Sequence, residues 1–156
     1  MLDHAAIPQK LSASSMTVLI VEDDDLSLKL FSELLKSVGC TTLLTKNGGE
    51  VARIVHRNQP DLILMDIQLP DVSGMEVIQR LKGDPASRDI PIIAVTACAM
   101  KGDAENILGA GFDGYISKPI SVKRFLETVA KFVGNTKEND GNRRGYCRDL
   151  LQSHVG

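Results

Sequence analysis

The sequence has no tryptophan, two tyrosines and four phenylalanines, and only three cysteines in 156 residues. Cys40, Cys98 and Cys147 form no CxxC pair and no metal-ligand spacing. A disulfide framework and a zinc site are therefore not expected, and the thiols read as reduced, as in a cytoplasmic protein. Cys40 and Cys98 read as small apolar fillers. His4, His56 and His154 are too scattered to suggest a histidine-activated nucleophile. Charge of one sign is lacking too. The net charge of -2 gives no general pull toward nucleic acid or an anionic membrane. No apolar run is long enough for membrane insertion, and the N-terminus lacks the basic-then-apolar pattern of a secretory signal. Nor is there a GxxxxGK[ST] loop or a kinase-type glycine loop, so the chain is not expected to draw a phosphoryl group from ATP by itself.

What the sequence does contain is an alternation. Short apolar runs at Thr17–Val21, Thr41–Leu44, Leu62–Met65, Ile92–Val95 and Gly114–Ser117 predict strands, several apolar throughout, as in parallel strands covered on both faces. Between them lie helical patterns. Leu26, Leu30, Leu34, Leu35 and Val38 mark the first helix, which Gly39 terminates. Val51, Ile54 and Val55 mark a second, stopped before Pro60, and Met75, Val77, Ile78 and Leu81 a third. Ala104, Ile107 and Leu108 mark a glycine-flanked fourth, and Val122, Phe125, Leu126, Val129 and Val133 a fifth, with Ser121 as its N-cap. The expected fold is α/β: a doubly wound, five-stranded parallel sheet with five flanking helices, of flavodoxin-like type. One domain over residues 16–133 is expected, since domains run to roughly 100–200 residues. Residues 1–15 read as a disordered leader or upstream extension, and 134–156 as a flexible polar tail.

In doubly wound sheets, ligands bind beyond the carboxyl ends of the strands. The first strand here runs into Glu22-Asp23-Asp24-Asp25, the third into Asp66, the fourth into Thr96 and the fifth into Lys118-Pro119. Each alone has an ordinary reading: an aspartate after a strand caps a turn, and most lysines are simply solvated. Together they gather acidic groups, a hydroxyl and an ammonium on one rim. Clustered carboxylates repel unless a cation neutralises them, and a hard, partly hydrated ion such as Mg2+ suits oxygen ligands. Asp66 could then attack phosphorus in line and form an acyl phosphate, with Lys118 and Thr96 donating to phosphoryl oxygens. Lys118-Pro119 is a candidate cis peptide.

The stretches VLIVEDD, DLILMDIQLPDVSGMEV, IIAVTA and GYISKPI resemble the receiver domain of two-component response regulators over residues 16–133. The resemblance implies that Glu22 and Asp23 are the acidic pair, Asp66 the phosphoacceptor and Lys118 the phosphate-sensing lysine. It implies that Thr96 and Tyr115 are the switch residues, and that the backbone carbonyl of Gln68 completes the Mg2+ shell. The acidic run leaves another register open, but Glu22-Asp23 directly follows Val21, and Asp24 and Asp25 then suit a helix start. Within the family, LIVEDDDLSLKLF, MDIQLP, AMKGD and YISKPISVKRFLETV are especially similar to single-domain cell-division regulators, implying a role in cell-cycle signalling. The phosphodonor would be a sensor histidine kinase, a histidine phosphotransfer protein or a small phosphodonor. Output would pass to protein partners through the fourth helix, fifth strand and fifth helix, with no nucleic-acid contact, because the stretch after Gly134 is too short for a DNA-binding module. The rival reading is an enzyme, an aspartyl-nucleophile phosphohydrolase. Such enzymes usually place a second aspartate two residues after the nucleophile, where this chain has Gln68. A flavin-binding module is a third reading, opposed by the acidic first loop, which repels an unaccompanied phosphate.

Overall fold

The computed structural model describes residues 16–97 and 101–134. The expected leader and most of the expected tail, with Cys98, Cys147, His4 and His154, lie outside the described residues. Five strands and five α-helices alternate within them: β1 (Thr17–Val21), α1 (Asp25–Ser37), β2 (Thr41–Thr45), α2 (Val51–Asn58), β3 (Leu62–Asp66), α3 (Gly74–Lys82), β4 (Ile92–Thr96), α4 (Lys101–Gly109), β5 (Gly114–Ser117) and α5 (Val122–Gly134). A 3-10 turn, Gly48–Glu50, leads into α2. All strand pairs are parallel, in the order β2-β1-β3-β4-β5.

Strand alternation divides the core in two, because successive side chains point to opposite faces. Val18, Ile20, Leu62, Leu64, Ile93 and Val95 pack on α1 and α5, where Phe31 and Phe125 stack with ring centroids 5.3 Å apart. Leu19, Val21, Ile63, Met65, Ile92 and Ala94 pack on α2, α3 and α4 through residues such as Val55, Ile78 and Ile107. β3 and β4 are buried at every position, which is why their sequences are continuous apolar runs rather than alternating ones.

Two expectations need correction. The first concerns the core face of α1. Leu28, Phe31 and Leu35 fill it, joined by Val38 just past the helix, whereas Leu26 is 78% exposed and Leu30 is 40% exposed. Leu26 and Leu30 lie on the outer side, Leu34 packs at the margin of the core, and the stripe that meets the sheet is set one to two residues away. In the same way Leu108 of α4 and Val122 of α5 are exposed, leaving Ile107 and Phe125 to face the core. The second concerns strand ends: β2, β3 and β4 each run one residue beyond their apolar stretch, to Thr45, Asp66 and Thr96. The ladder carries on regardless of polarity. Asp66 is in register with Val95, and Ile67 N donates to Val95 O at 3.1 Å. Asp66 and Thr96 are thus the last rungs of the sheet, not the first residues of loops.

Candidate functional site

The site lies where the winding reverses. The chain leaves β1 toward β2 on one side and returns to β3 on the other, so the β1 and β3 ends flank a crevice that no crossover covers. Glu22 and Asp23 follow β1, and Asp66 closes β3. The helix start after β1 is built by Asp24, which accepts from Ser27 N at 2.9 Å as an N-cap, while Asp25 occupies the first turn. This leaves Glu22 and Asp23, ahead of the helix start, beside Asp66. One carboxylate oxygen each from Glu22, Asp23 and Asp66 lies within 4.8 Å of the others.

Glu22 is 1% exposed and Asp66 5%, so two of the three acids have left bulk water. Each is oriented by one backbone amide: Asp24 N donates to Glu22 Oε2 at 3.1 Å, and Gln68 N to Asp66 Oδ1 at 2.9 Å. Lys118 reaches in from the end of β5, its Nζ 3.0 Å from Glu22 Oε1 and 3.3 Å from Asp66 Oδ2. The lysine follows β5 directly and precedes a cis Lys118-Pro119 bond. Burial pulls the Lys118 ammonium toward neutrality, but the Glu22 and Asp66 carboxylates beside it outweigh that and hold its pKa above the usual value. Glu22 goes the other way. Burial first, and then the neighbouring Asp66, raise its carboxyl from 4.5 to about 7, against the lowering effect of Lys118 and the Asp24 amide.

These observations test whether the residues fit a divalent metal. Glu22 Oε1 is buried and, although close to the lysine, makes no hydrogen bond with proper geometry. A buried carboxylate oxygen without a donor, beside two further carboxylates, is a donor set for a hard cation. The residues fit Mg2+.

Thr96, at the end of β4, is 2% exposed. Its carbonyl accepts from Lys118 N at 2.8 Å, so the rungs carrying the hydroxyl and the ammonium are joined through the backbone. Tyr115 is 37% exposed on β5, one strand away from the acids. It lines a groove of about 730 Å³ between β5 and α5, together with Ser121, Arg124, Glu127, Thr128 and Lys131. Ser121 also accepts from Arg124 N at 3.3 Å, as an N-cap should. The expected site residues therefore fall into two groups: Glu22, Asp23 and Asp66 clustered, with Lys118 paired to Glu22 and Asp66 and the Gln68 and Thr96 backbones tied to Asp66 and Lys118, and Tyr115 apart on the groove.

Sequence reasoning missed what supports the loop after Asp66. Gly74 opens α3 against that loop so closely that a Cβ there would lie 2.7 Å from Ile67 Cα and 2.9 Å from Asp66 O. Only glycine fits. At the loop's outer turn, Asp71 accepts from Gly48 N at 3.1 Å and Gly49 N at 3.0 Å. A glycine at the entry of a helix was a legible signal for the first contact; backbone donors leave no trace in sequence for the second.

The family model "Response regulator receiver domain" matches residues 18–130. "Polar-differentiation response regulator DivK" of Brucella anthropi is 54% identical over 119 residues, 76% of this chain and 97% of the relative; the Brucella ovis protein of that name is 53% identical over the same share. Among solved structures, the receiver domain of a sensor histidine kinase from Pseudomonas aeruginosa, with a magnesium ion coordinated in its active-site cleft, superposes with a TM-score of 0.72. It is 31% identical, over 78% of this chain and 99% of that one. A response regulator from Chloroflexus aurantiacus gives a TM-score of 0.74 at 25% identity, over 78% and 99%. A family model over residues 18–130 and relatives more than half identical over 76% of the chain show that it belongs to the response regulator receiver domain family.

Proposed function

We propose that this chain is a phosphorylation switch in which Asp66 accepts a phosphoryl group and protein partners read the result. The observation that carries the proposal is the convergence of three carboxylates and one lysine on the ends of β1, β3 and β5. In the reaction, an Asp66 oxygen forms a bond to phosphorus as the bond from phosphorus to the donor breaks. The electron pair leaves on the donor, an imidazole nitrogen of a phosphohistidine, which then takes a proton from solvent. Glu22, Asp23, Asp66 and the Gln68 carbonyl would hold Mg2+, which, when bound, would neutralise charge on the transferring group. Lys118 moves its ammonium from the carboxylates to a phosphoryl oxygen, and Thr96 donates its hydroxyl to another.

The donor is a sensor histidine kinase or a histidine phosphotransfer protein. Rearrangement at Thr96 and Lys118 biases β5, where Tyr115 turns, and α4, β5 and α5 form the face presented to partners. The polar-differentiation name borne by the relatives supports a role in the cell cycle or cell division, with the protein in the cytoplasm. Residues 16–133 are the functional unit. The chain is a phosphoacceptor, not a turnover enzyme: the position two after Asp66 is Gln68, which cannot serve as the acid or base of a phosphohydrolase.

Incubation with Mg2+ and acetyl phosphate tests this. One base-labile phosphate per chain, absent from Asp66→Asn, is expected. Sustained hydrolysis of a phosphate ester over many turnovers would overturn the switch in favour of the hydrolase.

A further inference from the structure

The loop after β3 carries the Gln68 amide that orients Asp66, the last residue of the strand, and it is held from two sides. Gly74 wedges its inner end, and Gly74 N donates to Ile67 O at 2.8 Å. Its outer end is held by Asp71, whose two oxygens take the adjacent amides of Gly48 and Gly49. Below this clamp there is no space: a Cβ on Gly48 would lie 3.1 Å from Leu69 Cδ1 and 3.1 Å from Val77 Cγ2.

The turn that Asp71 grips is also tied to the opposite wall of the crevice. Glu22 N donates to Thr45 O at 3.1 Å, and Lys46 pairs with Asp25 at the start of α1. Within the turn, Thr45 Oγ1 accepts from Asn47 N at 3.2 Å and bonds Glu50 Oε1 at 3.1 Å, which fixes the path from the Thr45 anchor to the Gly48–Gly49 amides. The β2–α2 turn is therefore a strut between the loop that bears Glu22 and Asp23 and the loop that follows Asp66. One end meets the β1–α1 loop at Glu22, and the other meets the β3–α3 loop at Asp71.

We infer that Asp71 is a positioning residue for the carboxylate cluster, holding the loop of Asp66 and Gln68 at the spacing a divalent cation needs, through the Gly48–Gly49 turn. The inference rests on the metal reading given above. Asp71 touches neither the metal position nor the phosphoryl group; it acts by removing freedom from the loop before a ligand arrives, so that less ordering remains to be done on binding.

The test is Mg2+ titration calorimetry on the full chain, with amide hydrogen exchange at Gly48 and Gly49 measured in parallel. Asp71→Ala should raise the Mg2+ dissociation constant about tenfold, the size seen when a residue that orients metal ligands is lost. Asp71→Asn keeps one acceptor oxygen and should fall between wild type and Asp71→Ala. In labelling with acetyl phosphate, the loss should appear as a higher half-saturating Mg2+ concentration, with the rate at saturating Mg2+ within about twofold of wild type, a split that general loss of stability does not produce. Faster exchange at Gly48 and Gly49 with an unchanged dissociation constant would overturn the positioning role and leave the metal reading intact. A wild-type chain that binds no Mg2+ would overturn both.

Discussion

The centre and the edge of the sheet are built differently. β3 is buried at all positions and ends in Asp66, while β5 has one buried residue, Ile116, and carries half-exposed Tyr115. At the centre, every backbone group is paired on both sides and the side chains are packed from two directions. At the edge, one side of the strand has no neighbouring strand among the described residues, and the helix before it, α4, has Ile107 buried while Gly102 and Gly109 face outward. Chemistry that needs fixed distances belongs at the centre, and a surface that must change belongs at the edge. The difference assigns each region its part of a switch.

Breaking the centre should have the largest effect. Asp66→Asn should abolish labelling by acetyl phosphate and leave the fold intact, as read by mass spectrometry and circular dichroism. Residual stoichiometric labelling would mean that another acid accepts the group. Next in size is packing. Leu64→Ala in β3 should cost about 2–5 kcal/mol in chemical denaturation, the range for fully buried leucines. Tyr115→Ala at the edge should cost well under that, about 1 kcal/mol or less. Equal losses would erase the contrast.

A pH comparison sharpens it further. The Gly49 amide first, and then the Gly48 amide, hold the Asp71 carboxyl below its ordinary value of 3.8. A depressed acid contributes stability that is fully present above its unfolded value and is lost as pH falls through the folded one. Melting of wild type and Asp71→Asn should therefore differ near neutrality and converge as pH drops below about 4. A constant difference down to pH 2 would mean that the clamp does not depend on the charge. The smallest effect expected is a gain. Gly109→Ala should stabilise the chain by about 0.5–1 kcal/mol, because the replacement meets no neighbour and removes backbone freedom from the unfolded state.

The same contrast explains what could be read from sequence. β3 and β4 were legible because burial on both faces leaves runs such as LILM and IIAV, and the site residues were legible because they stop those runs. The Lys118-Pro119 isomer also agreed with expectation. The inner face of α1 is only half legible: Leu34, Leu35 and Val38 pack as expected, but Leu26 and Leu30 share a helical row with Leu34, and only the position of the sheet selects Leu28 and Phe31 in their place. Asp71 went unnoticed for another reason. Its partners are two main-chain amides in a turn more than twenty residues earlier, and a main-chain donor has no side chain to announce it.

The bond from Lys118 N to Thr96 O has a consequence for any observer of the molecule. It yokes the final residues of two neighbouring strands, so neither can travel alone without stranding a peptide group. An isotope or fluorine label on either should register the same event with the same time constant, and two unequal time courses would show that the yoke had parted.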